Sequence, residues 1–135
     1  MLRQLDERTL IAGQIAPEQV AELKSQGIAM IVNNRPDGED AGQPTAAQIE
    51  AAADGAGLAY RWVPIRRGPG PADVEAMQEA MRDCGDGKLL AFCRSGARST
   101  FAWALARHEE GVGRDELERA AAVAGVSLAP IAHLL

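Results

Sequence analysis

A cysteine and two arginines lie close together in the segment Cys93-Arg94-Ser95-Gly96-Ala97-Arg98. The apolar residues 89–92 precede it, so Cys93 should lie at the carboxyl end of a buried strand, where open α/β sheets bind their ligands. Gly96 allows a sharp turn into a following helix, whose first N–H groups have no intrahelical partner. These donors, the positive end of the helix and the arginines would favour the Cys93 thiolate at neutral pH. The segment therefore predicts a nucleophilic cysteine in an anion-binding loop.

We predict that Cys93 and Arg98 are the catalytic residues. The guanidinium of Arg98 offers a planar fork of donors suited to an oxyanion or a terminal sulfur, whereas a lysine would offer only a point charge. A lone cysteine at a strand end is more simply a core residue. Small residues and two arginines at a strand-to-helix turn favour a functional interpretation instead. The predicted anion-binding residues are Arg94, Ser95, Gly96, Ala97 and Ser99.

The second cysteine, Cys84, lacks such surroundings. It follows Arg82 and Asp83 at the end of a predicted helix, with no anion-binding loop around it. We interpret it as a structural residue rather than a resolving thiol. Two cysteines in a chain of this size do not make a disulfide framework, so we expect both thiols to be reduced.

Length and composition predict a single domain over residues 1–135. The chain is 47% hydrophobic and 24% charged, as is ordinary for a globular protein. No apolar run approaches the roughly 20 residues that span a bilayer, and residues 1–8 lack the apolar core of a secretory signal. We therefore expect a cytoplasmic protein without membrane contacts. A net charge of −5 argues against binding to nucleic acid.

Short apolar runs alternate with helical patterns, which predicts an α/β domain with a mostly parallel central sheet flanked by helices. The loop at residues 33–40 is polar and rich in turn formers, so we expect it to be exposed. We expect Trp62 and Trp103 to pack in the core. The predicted strands cover residues 9–14, 28–32, 58–65 and 88–92, and helices are predicted after Pro17, Thr45, Pro71 and Cys93, around residues 117–124, and in the tail 127–135.

Two resemblances follow from these residues. Cys-Arg-Ser-Gly-Ala-Arg at 93–98 resembles the Cys-Arg-x-Gly-x-Arg loop of rhodanese-type sulfurtransferases. Residues 8–110, with Ile-Ala-Gly-Gln at 11–14 and Val-Asn-Asn-Arg-Pro-Asp-Gly-Glu at 32–39, resemble the phosphatase-like domain family of the beta-lactamase-hydrolase-like proteins. This second resemblance implies a fold similar to tyrosine and dual-specificity phosphatases. Some members are fused to a metallo-hydrolase domain of the persulfide-dioxygenase kind, so the resemblance implies that a separate partner of that kind could exist here.

Comparison with the phosphatase pattern separates two chemistries for this loop. The phosphatases that the domain resembles place five residues between cysteine and arginine, whereas this chain has four. Their pattern also has a histidine where this chain has Phe92, and an arginine where it has Ser99. Hydrolysis of a phosphoester needs a general acid, and the segment after the third predicted strand offers Arg66 and Arg67 rather than an aspartate.

Several other residues could supply the missing acid or contact the substrate. Asp73, as the third residue of a predicted helix, is more simply a partner of the helix dipole. Asp37, Glu39 and Asp40 could reach the site from the loop at 33–40, although solvated turn charges are the simpler interpretation. The candidate acid or substrate contacts are Arg35, Asp37, Asp40, Arg66, Arg67 and Asp73.

We predict a cysteine-dependent sulfurtransferase of sulfide or persulfide metabolism. Sulfur transfer needs no acid, because a thiolate or sulfite is an adequate leaving group. Cys93 would take sulfane sulfur from thiosulfate or a persulfide, and the resulting Cys93 persulfide would pass it to a thiol acceptor. The alternatives are a phosphatase acting through a Cys93 phosphocysteine and a non-catalytic anion-binding module. We predict no cofactor and no metal, since neither His108 nor His133 has a second ligand at metal spacing.

Overall fold

The computed structural model describes the whole chain, Met1–Leu135, as five strands and five α-helices. The sheet has the strand order β1-β2-β5-β3-β4. Strand β1 pairs antiparallel with β2, and all other neighbours are parallel, which confirms the predicted mostly parallel sheet. The strands are β1 (Arg3–Gln4), β2 (Thr9–Ala12), β3 (Ile28–Asn33), β4 (Ala59–Trp62) and β5 (Lys88–Phe92).

The helices cover both faces of the sheet. One hydrophobic cluster packs α1 and α2 against the strands, and a second packs α3, α4 and α5 on the opposite side. Helix α2 begins after Thr45, as predicted, with a capping box in which the side chains of Thr45 and Gln48 each accept the other residue's backbone N–H. None of the helices has the length and apolar character needed to cross a membrane. The helices are α1 (Val20–Ser25), α2 (Ala46–Ala56), α3 (Pro71–Cys84), α4 (Ala97–Glu109) and α5 (Arg114–Val123), with 3-10 turns at Pro17–Gln19 and Ala129–Leu134.

Strand β5 runs through the centre of the molecule. It lies between β2 and β3, parallel to both, and after its first residue every side chain is buried. The strand and its two neighbours therefore fix the position of the segment that follows. This segment begins with Cys93, which is only 1% exposed. Helix α4 begins four residues later, so the strand–loop–helix prediction for this region is confirmed.

The prediction of an exposed loop at residues 33–40 is wrong for its first half. Residues 33–36 are buried because their backbone continues the pairing of the sheet beyond the strand ends. Asn34 donates its backbone N–H to the carbonyl of Phe92 at 2.8 Å and accepts one from Ile65 at 2.9 Å. Only residues 37–40 are exposed. The polar composition of this segment thus supplies buried hydrogen bonds rather than solvent contacts.

The two tryptophans also differ. Trp103 on α4 is 2% exposed, as predicted for a core residue. Trp62 is 47% exposed, which contradicts the same prediction, because β4 is an edge strand with little covering its outer side. Its indole nitrogen is nevertheless held in place, since Nε1 donates to the carbonyl of Arg35 at 3.0 Å.

Candidate active site

The loop between β5 and α4 turns at Gly96. This glycine has φ = +99°, a backbone conformation that residues with a Cβ rarely adopt, and a Cβ here would lie 2.5 Å from Nη2 of Arg3. Its N–H donates to the Sγ of Cys93 at 3.1 Å, and its carbonyl accepts the hydroxyl of Thr100 at 2.8 Å. Glycine at this position therefore brings one backbone donor directly onto the cysteine sulfur.

Further backbone donors of the same loop lack partners. The N–H groups of Arg94, Ser95 and Arg98 have no hydrogen-bond acceptor within the chain, and that of Ala97 has only a long contact of 3.4 Å to the Ser95 hydroxyl. Donors at a helix N-terminus that lack partners form a binding site for an anion. The loop predicted from the sequence is thus arranged as a cradle with Cys93 at its floor.

Neighbouring strands hold the outer side of the loop. The N–H of Gln14, just beyond β2, donates to the carbonyl of Arg94 at 3.2 Å. Arg3 on β1 donates through Nη2 to the carbonyl of Ser95 at 2.6 Å and through Nη1 to that of Ala124 at 2.9 Å. Because the carbonyls of Arg94 and Ser95 are engaged from this side, the backbone of the loop is held in place and its N–H groups stay available to an anion.

The guanidinium of Arg98 contacts a carboxylate and a carbonyl. Nη1 donates to Oε2 of Glu39 at 2.8 Å and to the carbonyl of Ile65 at 2.6 Å, while Nη2 donates to Oε1 of Glu39 at 2.8 Å. These hydrogen bonds to Glu39, and the nearby charge of Cys93, raise the pKa of Arg98 above its usual value. Arg98 therefore remains a cation beside the sulfur at every relevant pH.

Glu39 lies between two arginines. Its Oε1 also accepts from Nε of Arg35 at 2.9 Å, and Arg35 in turn contacts Gln14 at 3.0 Å and Asp40 at 2.7 Å. The hydrogen bond from Arg98 is the largest cause that lowers the pKa of Glu39 to about 2, with Arg35 adding to it against the opposing effect of burial. Glu39 is therefore a carboxylate at neutral pH and carries no proton to donate.

The remaining predicted arginines flank this cluster. Arg94 is exposed, and its Nε lies 3.2 Å from Oδ2 of Asp40. Arg66 and Arg67 follow Ile65, whose carbonyl contacts Arg98, and they are exposed with no hydrogen bond or ion pair from either side chain. The structure thus brings Arg35, Asp40 and Arg94 together with the loop and places Arg66 and Arg67 beside it.

Three predicted site residues serve structural roles instead. Asp37 accepts the N–H of Ala46 at the start of α2 at 2.8 Å, and Asp73 accepts that of Gly70 at the start of α3 at 2.9 Å. Both carboxylates therefore accept backbone N–H groups at helix N-termini. The hydroxyl of Ser99 is fully buried and donates to Oδ1 of Asn34 at 2.7 Å, so it is not available to an anion.

Sequence reasoning gave too little weight to Glu39 and omitted the residues that support it. The turn-rich composition around Glu39 is typical of solvated charges, and no sequence pattern assigns a supporting role to Arg3, Gln14 or Asn34. One signal could have found Glu39: strands β3 and β5 are adjacent and parallel, so charged residues after β3 lie at the same edge of the sheet as the Cys93 loop. The strand order that makes this argument was not available from the sequence.

The parallel sheet, the cysteine in an amide cradle and the arginine above it define a cysteine-based domain of the phosphatase-like class. A family model for the phosphatase-like domain of beta-lactamase hydrolase-like proteins matches residues 1–111. The chain belongs to this family. The predicted resemblance to this family and the phosphatase-like fold that it implies are thereby confirmed, whereas the resemblance of residues 93–98 to the rhodanese-type loop stays a prediction.

Individual relatives agree with this assignment. A beta-lactamase hydrolase-like protein of Xylella fastidiosa is 38% identical over 116 residues, which are 84% of this chain but only 27% of that protein. A solved structure from Neisseria meningitidis, provisionally assigned as a phosphatase, is 32% identical with a TM-score of 0.82, covering 97% of this chain and 93% of that one. Kinase-associated phosphatase has the same fold, with a TM-score of 0.68 at 18% identity, over 83% of this chain and 72% of its own.

Proposed function

We propose that the domain is a sulfurtransferase that carries sulfane sulfur on Cys93. The observation that carries this proposal is the state of the carboxyl groups around the loop. Glu39 is ionised between two arginines, and Asp40 is paired with Arg35 and Arg94. The other two candidate acids, Asp37 and Asp73, accept backbone N–H groups at the starts of helices. The site therefore has a nucleophile and an anion cradle but no evident proton donor.

Sulfur transfer is compatible with such a site. The Cys93 thiolate attacks the outer sulfur of thiosulfate or of a persulfide, a new bond forms between Sγ and that sulfur, and sulfite or a thiolate leaves with the electron pair of the broken bond. An acceptor thiolate then attacks the outer sulfur of the Cys93 persulfide, which breaks the bond to Sγ and restores the thiolate. Neither step requires a proton from the enzyme.

The cradle supplies the electrostatic part of this mechanism. The inward N–H groups of Ser95, Gly96 and Arg98, together with the Arg98 side chain, stabilise negative charge on the donor and on the terminal sulfur of the persulfide. The unpaired side chains of Arg66 and Arg67 would attract anionic donors to the rim of the site. A low-molecular-weight thiol serves as acceptor, and a separate persulfide-dioxygenase-like protein could act on the product.

Phosphoester hydrolysis is the second candidate, and the comparisons favour it. The family is named for its likeness to phosphatases, the Neisseria meningitidis structure was provisionally assigned as one, and none of the names given above mentions sulfur transfer. In this candidate Cys93 attacks phosphorus and forms a phosphocysteine. The proton for the leaving group would have to come from water, because the carboxyls near the loop are committed to other partners.

Intact mass spectrometry distinguishes the two candidates. The reduced protein is incubated with thiosulfate, its mass is measured, and the same samples are assayed with p-nitrophenyl phosphate. Sulfur transfer predicts a gain of one sulfur atom that is discharged by cyanide, absent from Cys93→Ser and retained in Cys84→Ser. Phosphate release that depends on Cys93, without a sulfur adduct, would replace the proposal by the second candidate. Silence in both assays would leave an anion-binding module.

A further inference from the structure

The hydrogen bonds of Arg98 leave one edge of its guanidinium free. An arginine has five N–H donors, two on each terminal nitrogen and one on Nε. Both donors of Nη1 are used, by Glu39 and Ile65, and one donor of Nη2 is used by Glu39. Nε and the remaining donor of Nη2 point in the same direction and donate to no oxygen or nitrogen of the chain. Besides Glu39, the Cys93 sulfur also interacts with the guanidinium, through its charge and a hydrogen bond that raise the pKa of Arg98. This pair of donors has the spacing that a bidentate oxyanion accepts.

The position of Glu39 is itself fixed from behind. Arg35 donates to Glu39 through Nε, and its side chain is only 4% exposed. Gln14 and Asp40 hold the other two nitrogens of Arg35, and the Trp62 indole donates to its backbone carbonyl. A buried guanidinium with all three nitrogens engaged cannot rotate freely. Glu39 is therefore held between a fixed cation and Arg98.

We infer that Glu39 is a positioning residue, which turns the free edge of Arg98 toward the anion above Cys93. The two carboxylate oxygens of Glu39 and the Ile65 carbonyl determine the plane of the guanidinium. The side chain of Arg98 is therefore already ordered before the sulfur donor binds, and binding does not have to order it. Glu39 acts through Arg98 and does not contact the donor. This inference rests on the proposed function for its substrate, but the orientation of Arg98 is measurable without any turnover.

The first test is nuclear magnetic resonance of the arginine side chains. In the wild-type protein the Arg98 Nε–H signal is expected to report an ordered guanidinium, and in Glu39→Gln it should show substantially greater motion. Arg107 provides a matched control, because it pairs with Glu110 on the other side of the molecule through a 2.9 Å hydrogen bond. Glu110→Gln should leave the Arg98 signal unchanged. Equal order of Arg98 in the wild type and Glu39→Gln would overturn the inference.

A double-mutant cycle is the second test and separates positioning from a general effect on charge or folding. Glu39→Gln is expected to lower the rate of Cys93 persulfide formation about 10- to 100-fold, and Glu39→Asp, which keeps the charge, should recover part of the loss. In an Arg98→Lys background the same Glu39→Gln change should alter the rate less than 2-fold, because the residue through which Glu39 acts is gone.

Each outcome of the cycle is decisive. Strong non-additivity supports the inference, whereas the same loss in both backgrounds, no loss, or a faster rate in Glu39→Gln would overturn it. A faster rate would mean that Glu39 competes with the donor for Arg98. If the wild type forms no persulfide, the cycle is run on phosphate release from p-nitrophenyl phosphate. If that is absent too, the resonance experiment alone decides the role of Glu39, and only the proposed function has failed.

Discussion

A cysteine lies near each end of the central strand β5, and the surroundings of the two cysteines differ in kind. Cys93, beyond the carboxyl end of β5, is buried beneath backbone donors and beside Arg98. Cys84, before the amino end, is half-buried and donates its S–H to the carbonyl of Gly87 at 3.4 Å. Burial raises the pKa of the Cys84 thiol. The cysteine at the carboxyl end of the parallel strands thus accepts a hydrogen bond from a backbone N–H, whereas the one at the amino end donates to a backbone carbonyl.

Cavity volume alone would place the active site at the amino end of the sheet, away from Cys93. A cavity of about 660 Å³ lies at the amino end of the sheet, beside Cys84. Its walls carry more carboxylates than arginines, so an anion would be repelled there. The carboxylates are Asp6, Glu7, Asp86, Glu110 and Glu116, and the arginines are Arg8, Arg82 and Arg107. The chemistry of the loop after β5, rather than the volume of this cavity, therefore locates the site.

The largest expected difference between the two ends concerns their arginines. Arg98→Lys should lower the second-order rate of persulfide formation about 100-fold, because a lysine cannot present two parallel donors to an anion. Arg107→Lys, at the amino end, should change that rate less than 2-fold. Initial rates at low thiosulfate concentration measure both values. Equal effects of the two changes would remove the distinction between the ends.

Two glycines at opposite ends of helix α4 give a comparison of stability. Gly96 and Gly111 have nearly the same positive φ, +99° and +102°, but a Cβ at Gly96 would clash with Arg3, whereas nothing lies within 4 Å of one at Gly111. Gly111→Ala should cost about 1 kcal/mol of unfolding free energy and Gly96→Ala about 3 kcal/mol, with loss of persulfide formation only in the latter. Urea unfolding at pH 7 measures the difference, and similar costs would argue against a tightly built loop.

Acid should weaken the ion pairs at the carboxyl end of the sheet more than those at its amino end. The pKa of Glu39 is about 2 in the folded protein and near 4.5 when unfolded, so its contribution is present above pH 4.5 and is lost as the pH falls toward 2. With a discount for its partial exposure, the contribution is about 1 to 2 kcal/mol. Glu39→Gln should flatten the dependence of unfolding free energy on pH between 5 and 2. An unchanged slope relative to the wild type would contradict the ion pairing described here.

The smallest effect concerns the thiol of Cys84. In a Cys93→Ser background, the rate of Cys84 alkylation by iodoacetamide is measured as a function of pH. The rise in rate should occur at higher pH in the folded protein than in guanidinium chloride, because burial raises the pKa of this thiol. The sign follows from the protonated thiol being favoured in the fold. Peptide mass spectrometry of the alkylated product measures the two profiles. A folded profile at lower pH than the unfolded one would mean that Cys84 also has an activating environment.

The sequence was sufficient for the parts of the site that are local along the chain. Residues 89–99 contain the apolar strand, the turn glycine and the helix start within one short segment, so the cradle and its cysteine could be predicted. The Thr45 capping box was equally local. Such features depend on neighbouring residues and on backbone preferences, which sequence patterns report directly.

The features that sequence patterns did not predict depend on contacts between residues that are distant along the chain. The burial of Asn34 follows from backbone hydrogen bonds to residues 92 and 65, and Glu39 reaches Arg98 across 59 positions. The same polar composition would be expected of a solvated turn, so composition alone could not separate the two cases. Strand β1 has only two residues, too few to produce a periodic pattern, and its Arg3 was missed for that reason.

Arg3 also has a consequence for the order of events during synthesis. It joins the carbonyl of Ser95 to that of Ala124, contacts that span 92 and 121 positions of the chain. While residues near Ala124 are still inside the ribosomal exit tunnel, Arg3 has only one of its two acceptors available, so its guanidinium is anchored to the loop but not to the segment after α5. The support for the reactive loop is therefore completed late, only once the segment that follows α5 has emerged.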